Sequence, residues 1–557
     1  MTAVVIRLAR ADDLARIDAV EASANRAFEG VKLVPPATPS PPPPPEGPWA
    51  RALADGTIWV ADDPDAGVIG FIQAEVEGDA LHIAELDVTF ERQQQGHGRR
   101  LMQTAIAWAK ARGLAAALLT TYRQVRFNAP FYASLGFVEL APAEAPGWLA
   151  AILATDAARG LQGRCAMALD LHPRDATRLI RAGKTPSDLL RTVGPPIQKG
   201  STVLVGSAAA LYDERRPTYG RGGLAAQEAL KSALAELEGA RAVRLFPSGL
   251  AAMAGAIMAV LKAGDDVLIT DSVYKPTRRF CDRVLARFGV TSRYFAPDAP
   301  PEAVLAMATP ATRLIVLETP GSLTFEMQDV PAIAAAARER GILTVIDNTW
   351  AAGLLFKPLA HGVDISVQAL TKYVGGHSDL FMGSAACATR ELEVALDRAI
   401  VDFGHSVASE DAYQMLRGLR TLPTRMARHG ASSLEVAGWL GTRTEVAEVL
   451  HPALPGAPGH ALWRRHFSGA AGLFAIVLKD ASEAQVAAFL DHLALFGLGF
   501  SWGGFESLAL NADPQFEVRE TPPRFDGPVV RLNIGLEDPA DLIADLGAAL
   551  DSMAKVG

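Results

Sequence analysis

Lys372 sits in the run Ala369-Leu370-Thr371-Lys372-Tyr373-Val374-Gly375-Gly376-His377-Ser378-Asp379, downstream of Ile346-Asp347-Asn348-Thr349-Trp350. Both segments follow apolar, strand-like runs, so an amine and a carboxylate are offered at strand ends. Pyridoxal 5'-phosphate (PLP) chemistry requires that pair. The amine condenses with the cofactor aldehyde. The carboxylate keeps the pyridine nitrogen protonated, so the ring can accept electrons from a substrate carbanion. A lone lysine after an apolar run is ordinarily a solvated one, but the two segments in this order are hard to obtain by chance.

Other segments suit the same cofactor. Phe246-Pro247-Ser248-Gly249-Leu250 precedes a helical pattern, so the amides of Gly249 and Leu250 can face a phosphate. Tyr274 follows a strand end, where open α/β sheets bind ligands, and an aromatic there can stack on a ring. Tyr219-Gly220-Arg221 offers a phenol and a guanidinium suited to phosphate, and Arg531 could clamp a substrate carboxylate. Taken singly, Tyr274 reads as packing, Arg531 as a surface ion pair and Gly249 as a turn.

These residues need a scaffold of alternating strands and helices. Val267–Thr270, Leu314–Leu317, Ile342–Ile346 and Ile365–Val367 read as short apolar strands. Ser248 is a plausible N-cap and Gly264 a plausible C-cap for the first helix between them. Pro331 and Gly341 fit the start and end of another. The alternation implies a mostly parallel sheet covered on both faces. From about residue 425 strands scatter, which suggests a smaller α+β domain.

The chain has 557 residues, 49% of them hydrophobic, which argues for several domains with sizeable cores. A net charge of −9 and the lack of a long basic run exclude nucleic acid as an expected partner. Cys165, Cys281 and Cys387 are too scattered for a metal pattern or a disulfide framework, which suits a reducing cytoplasm. The N-terminus turns acidic too early for a signal peptide. No apolar run reaches the ~20 residues a membrane span needs. Residues 35 to 48 are proline-rich and read as a stiff surface loop. Cys165–Leu171 reads as a last strand and His172-Pro173-Arg174-Asp175 as a linker, which separates a first unit from the rest.

In that first unit, Leu86-Asp87-Val88 leads into Gln93-Gln94-Gln95-Gly96-His97-Gly98-Arg99-Arg100-Leu101. A helix follows, with Leu101, Ala105 and Trp108 on one face and Gly113 as its stop. A strand, a glycine loop and a helix start make an anion site, because free amides and the helix dipole face the ligand. A second segment is Asn128-Ala129-Pro130-Phe131-Tyr132-Ala133-Ser134-Leu135-Gly136-Phe137. The two together resemble the GNAT family of N-acetyltransferases over residues 1 to about 172. The resemblance implies that Gln93, Gly96 and Gly98, with the backbone of Gln95 and His97, bind the pyrophosphate of acetyl-CoA. It implies that Tyr132 protonates the departing thiolate. Glu85 is the candidate for the base that deprotonates the acceptor amine. No motif names the acceptor.

Residues from about 174 to 557 resemble the Cys/Met-metabolism family of PLP enzymes, of fold type I. The resemblance makes Lys372 the Schiff-base lysine and Asp347 the partner of the pyridinium nitrogen. It puts Asn348 on the ring hydroxyl, Tyr274 on the ring face, and Gly249, Leu250 and Thr371 on the phosphate. Tyr219 and Arg221 would come from the neighbouring subunit, so a homodimer at least, and a tetramer by preference, is expected. Four segments resemble the bacterial cystathionine β-lyase group: Asp347–Gly353, Phe500-Ser501-Trp502-Gly503-Gly504-Phe505-Glu506-Ser507, His451–Gly456 and Ile534–Asp538. Trp350 and Trp502 stand where γ-lyases usually carry Phe and Leu, and Ser501 where the family contacts the substrate carboxylate. The implied reaction is β-elimination: Lys372 takes the α-proton and, with Tyr274, protonates the departing sulfur. Cystathionine would give homocysteine, pyruvate and ammonia.

The chain departs from the pattern at three places. Ala369 replaces a frequent serine, Gly222 a second arginine, and Arg279 an acid before Phe280. The last two touch the distal end of the substrate, where Arg279 is expected to take over recognition of a carboxylate. The fold class expected is α/β: a GNAT α+β domain (1–172), then a PLP fold type I domain (173–557). The latter divides into a large cofactor part (about 219–425) and a small α+β part (about 426–557). A bifunctional enzyme is one reading. A cysteine-type or other C–S lyase regulated by a non-catalytic acetyl-CoA-binding module is the other.

Overall fold

The computed structural model describes residues 4–29, 48–171, 175–181, 192–213, 218–553 and 555–556. The chain divides into two compact units, Met1–Pro173 and Arg174–Gly557. The proline-rich stretch up to residue 47 and the linker residues His172 to Arg174 lie outside the described residues; Pro48 opens the helix Pro48–Asp55.

The first unit carries strands β1 (Val5–Leu8), β2 (Ile58–Asp63), β3 (Gly67–Glu77), β4 (Ala80–Val88), β5 (Ala116–Tyr122), β6 (Val138–Glu139) and β7 (Arg164–Asp170). They form one sheet in the order β1-β2-β3-β4-β5-β7-β6, in which only β4 and β5 pair in parallel. Their pairing covers Ala80–Ile83 against Ala116–Leu119 and then stops. The register between β3 and β4 shifts between Gln73↔Glu85 and Ala74↔Ile83, leaving Ala84 without a counterpart. Such a bulge bends its strand. The carboxyl end of β4, with Glu85 and Asp87, is therefore not paired with β5. The helix His97–Ala111 covers the sheet with Leu101, Met102, Ala105 and Ala109, all buried at helical spacing.

The second unit holds β8 (Ala242–Phe246), β9 (Asp266–Thr270), β10 (Thr291–Phe295), β11 (Thr312–Glu318), β12 (Leu343–Asp347), β13 (Ile365–Gln368) and β14 (Gly383–Cys387). The order is β10-β9-β11-β12-β13-β14-β8. The first five run parallel; β14 is antiparallel to both its neighbours, so β8 points with the five. Alternation along β11 shows why the sheet is buried on both faces. Ile315 and Leu317 join one core, while Leu314 and Val316 join the other.

Helix ends follow the capping chemistry in most places. Ser248 Oγ accepts from the Ala251 amide at 3.1 Å, and Asp329 caps the helix Val330–Glu339 that contains Pro331. Gly341, at φ +67°, follows its end. The expected stop at Gly264 is a correction: the helix Gly249–Val260 ends at Leu261, and Gly264 occupies a later turn.

A further sheet, β15 (Val446–Leu450), β16 (Leu473–Leu478), β17 (Gly497–Leu498), β18 (Leu508–Asn511) and β19 (Val529–Asn533), runs β15-β16-β19-β18-β17. Its core meets the helix Pro539–Met553 and the carboxyl end of the 32-residue helix Ser409–Leu440. The expected division at 425/426 falls inside that helix, so the two parts share an element rather than a linker. Among the described residues no helix is long and apolar enough to cross a membrane, and no cluster of His, Cys, Asp and Glu suits a metal ion.

Candidate active site

The carboxyl edge of the parallel sheet gathers the chemistry. Asp347 ends β12, Glu318 ends β11 in register with it, and the Lys372 loop follows β13. A cavity of about 370 Å³ opens there, lined by Gly249, Tyr274, Asp347, Trp350, Lys372 and Arg531 among others. That volume is in the range of small-molecule sites.

Lys372 is held in a tight loop. Its amide donates to Ala369 O at 3.0 Å and its carbonyl accepts from the Gly376 amide at 2.8 Å. Arg425, 7% exposed, spans the residues after it. Its guanidinium donates to the carbonyls of Tyr373 (2.5 Å), Val374 (3.2 Å) and Gly418 (2.8 Å) and, among the described residues, meets no carboxylate. The Lys372 amine donates to Ser501 Oγ at 2.9 Å and lies 5.2 Å from the centre of the Trp502 ring. Burial, then the charge of Arg531, pushes this amine down to about 8, against the opposing pull of Asp347. Gly503 makes the approach possible: at φ +78°, a Cβ on it would stand 2.9 Å from the Tyr373 nitrogen.

Asp347 sits in the cavity wall with its Oδ1 bonded to the Thr349 amide at 3.0 Å and to the Thr349 hydroxyl. Among the described residues nothing donates to its other oxygen. Burial raises its pKa. A half-buried acid with a free oxygen fits a protonated ring nitrogen. The phosphate end is also prepared. The helix Gly249–Val260 starts at the cavity, and a Cβ on Gly249 would collide with Ala369 Cβ. Helix start and lysine strand are thus packed as close as glycine and alanine allow. Leu250 and Thr371 line the same cavity, though the Thr371 hydroxyl is already bonded to Met382 N (3.0 Å) and O (3.2 Å).

Arg531, on β19, donates to the carbonyls of Gly499 (3.2 Å), Phe500 (3.2 Å) and Ser501 (2.8 Å). Its buried Nε has no partner, and burial lowers its pKa to about 10. Trp350 and Trp502 complete the wall; the Trp350 indole donates to Leu473 O at 2.9 Å. Tyr274 stands half-exposed at the mouth, its amide bonded to Glu318 Oε2 at 2.7 Å. Burial, then Asp347 and Glu318, keep its phenol protonated. Arg279 also lines the cavity.

Three positions do not join this group. Asn348 is a correction: it is fully buried and donates to Phe356 O at 3.0 Å instead of lining the cavity. Successive residues point to opposite faces at a strand end, so Asp347 and Asn348 cannot both face in. Tyr219 and Arg221 line a different cavity, with Lys199 and Glu410. Residues that the motifs did not reveal are Glu318, Thr349 and Arg425. Glu318 has a neighbouring signal, since it closes an apolar strand as Asp347 does; Arg425, within a helical pattern, carries none.

In the first unit, Gly96 (φ +85°) precedes the helix His97–Ala111 with no side-chain cap. Among the described residues no acceptor meets the amides of Gln95, Gly96, His97 and Gly98. The Gln93 side chain donates to Val88 O at 3.1 Å and braces this loop. Glu85 lies within reach of the Asp87 charge. Burial first, then mutual repulsion and Glu21, raise Glu85; burial, then Glu21, raises Asp87. Tyr132 packs between Phe131 and Phe137, and burial, then the Asp87 charge, keeps its phenol protonated.

An amine of lowered basicity and a half-buried acid with one free oxygen, lining one cavity with a helix that opens on glycine, make a site for an aldehyde cofactor with a basic ring, which sets the second unit among the PLP-dependent enzymes. Residues 176–551 match the family model of the Cys/Met metabolism PLP-dependent enzymes, and the chain belongs to that family. Residues 54–139 match the acetyltransferase (GNAT) domain. The chain is 43% identical to the cystathionine β-lyase MetC of Escherichia coli K12 over 67% of its length and 97% of that protein. It is 43% identical to the cystathionine β-lyase of Bordetella avium over 65% of its length and 93% of that protein. The crystal structure of metB from Corynebacterium glutamicum superposes with a TM-score of 0.64 at 31% identity, covering 68% of this chain and 98% of that one.

The depressed basicity of Lys372 has a direct readout. Competitive labelling of the cofactor-free protein with acetic anhydride, read by mass spectrometry, should show Lys372 gaining reactivity as pH rises through about 8. Ordinary lysines gain it near ~10.4. A midpoint above ~10 would mean that burial and the charge of Arg531 do not govern this amine.

Proposed function

We propose that the second unit is a PLP-dependent C–S lyase that eliminates the β-substituent of L-cystathionine as homocysteine, the aminoacrylate left behind being hydrolysed by water to pyruvate and ammonia. The observation that carries this reading is the Lys372 amine, of lowered basicity, held between Ser501 and Trp502 opposite Asp347. PLP, when bound, supplies an electron sink for the charge left on the substrate α-carbon.

Each residue then has a task. Gly249 and Leu250 present helix-start amides to the phosphate, with Thr371 beside them. Asp347 holds a proton on the ring nitrogen, and Tyr274 covers the ring at the mouth. Arg531, through its free Nε, and Ser501 hold the substrate carboxylate. Lys372, as the neutral amine, removes the α-proton. The same amine, with the protonated phenol of Tyr274, returns a proton to the departing sulfur. Trp350 and Trp502 enclose the thioether and keep water away. Tyr219 and Arg221, which line a different cavity from their own Lys372, complete the phosphate site of a second copy, so the working form is a homodimer or a tetramer built as a dimer of dimers. The three cysteines are buried and free, which suits a reducing cytoplasm.

For the first unit we propose acetyl transfer from acetyl-CoA to an amine. The unpaired amides from Gln95 to Gly98 bind the pyrophosphate, with Gln93 bracing the loop. Tyr132 supplies the proton to the thiolate, and Glu85, with the Asp87 charge within reach, accepts the proton of the amine.

Incubation of the purified protein with PLP and L-cystathionine should yield pyruvate and homocysteine, and Lys372→Ala should slow this by about 10²–10⁴-fold. Release of 2-oxobutyrate and cysteine would instead make it a γ-lyase and remove the role assigned to the tryptophans. Co-expressed Lys372→Ala and Arg221→Ala subunits should regain about a quarter of wild-type activity, because half of randomly paired dimers carry one intact site. No recovery would confine each site to one subunit. With an amine panel, acetyl-CoA should release free CoA, and Tyr132→Phe should lower that rate. A change in lyase rate on adding acetyl-CoA, with no CoA released, would make the first unit a regulatory module.

A further inference from the structure

We infer that a second cavity beside the lysine is a subsite for an anionic group on the sulfur side of the substrate. The preferred substrates are then cysteine S-conjugates whose departing thiol carries a carboxylate without a balancing ammonium. This rests on the lyase reading above and narrows its substrate class.

The cavity, about 390 Å³, shares Tyr274, Arg279, Trp502 and Arg531 with the Lys372 cavity, so a substrate held at Arg531 extends into it past Tyr274 and Trp502. Its charged wall is one helix, Lys275–Arg283. Lys275, Arg279 and Arg283 recur at four-residue spacing and so form one row of cations, all lining the cavity. Among the described residues neither Arg279 nor Arg283 has an ion pair or hydrogen bond, and the Lys275 ammonium has only a 3.5 Å contact to Pro514 O. Arg278, on the same helix, is different: it is buried and paired with Asp271.

The row works against its own helix. Like charges four residues apart repel, and Lys275, in the first turn, opposes the helix dipole, which favours a cation only at Arg283 in the last turn. An anion in the cavity offsets both. Nothing comparable serves a cation. The one carboxylate in the lining, Asp282, accepts the Tyr294 hydroxyl at 2.5 Å. Phe500 and Val518 supply apolar wall for a methylene chain between sulfur and charge. Cystathionine, with a zwitterionic distal end, would be accepted through its carboxylate, with its ammonium unmatched.

The test compares S-(3-carboxypropyl)-L-cysteine with S-(3-aminopropyl)-L-cysteine on the PLP-loaded full-length protein, with pyruvate as readout. The carboxylate conjugate should have a kcat/KM at least about ten-fold higher, in line with measured couplings of close charge pairs. That ratio should fall towards one in an Arg279→Gln/Arg283→Gln double variant, and fall with added salt. Equal turnover of the two by the wild type, or an unchanged ratio in the double variant, would overturn the proposal. If no conjugate releases pyruvate, the lyase reading fails, and calorimetric titration with the same two compounds decides the subsite alone. Tighter binding of the carboxylate conjugate, lost in the double variant, supports it; equal binding, or binding of neither, overturns it.

Discussion

An ammonium group withdrawn from water loses hydration that a protein must either replace or avoid by shedding the proton. At Lys372 the surroundings push towards the latter. The amine has one hydroxyl partner, Ser501, an indole beside it and the guanidinium of Arg531 pushing in the same direction as burial. Asp347 alone opposes, and its own carboxyl is raised by burial. The balance leaves an amine that can lose its proton near neutrality, which both condensation with an aldehyde and abstraction of an α-proton need. Moving the amine a few ångströms out to solvent would restore an ordinary lysine, so the site depends on the precision of its loop.

That precision comes from backbone contacts rather than from side-chain packing alone. Gly249 meets Ala369 before the loop, and Gly503 meets Tyr373 after the lysine. Arg425 ties the next carbonyls to the long helix Ser409–Leu440. A buried guanidinium without a carboxylate is costly unless its donors are satisfied, and several protein oxygens accept from this one, including Thr421 Oγ1 at 3.1 Å. Since that helix also packs into the core of the smaller sheet, the lysine loop and the β19 strand carrying Arg531 are referred to one rigid element.

Much of this is legible in the sequence, and the gaps have physical causes. Motif segments such as Ser248-Gly249 and Thr371-Lys372 work locally, so their residue types speak directly. Strands of branched apolar residues, such as β11 and β12, are equally clear. β14 is not, because Gly383-Ser384-Ala385-Ala386-Cys387 lacks the side chains that mark strands. The structure explains its composition: a Cβ on Gly383 would collide with Ser248 O. A boundary near 425 fails because the helix that crosses it contains Pro423 and buries a charged residue. Asn348 borrows its expected role from its neighbour Asp347, when alternation turns it away. The loss of pairing between β5 and the carboxyl end of β4 depends on a bulge that no residue type announces.

Four arginines on or near the site show how burial sorts charge. Arg278 is buried and holds Asp271. Arg425 is buried and holds carbonyls. Arg279 is exposed and holds nothing among the described residues. Arg531 is buried and bonded on one side to the carbonyls of residues 499–501, with its Nε unmet, as is that of Arg278, but only the Arg531 Nε belongs to a guanidinium with no carboxylate partner among the described residues that also lines the lysine cavity. An unmet buried donor loses more free energy than an ordinary hydrogen bond contributes, so it is retained where a ligand satisfies it. Its charge also lowers the basicity of Lys372. A substrate carboxylate seated on Arg531 would neutralise that push, so the amine would become a stronger base only with substrate in place. Before that the same charge lowers the basicity of the amine and so raises the share of it that is nucleophilic near neutral pH. One guanidinium would thus link substrate occupancy to proton abstraction through Coulomb's law alone.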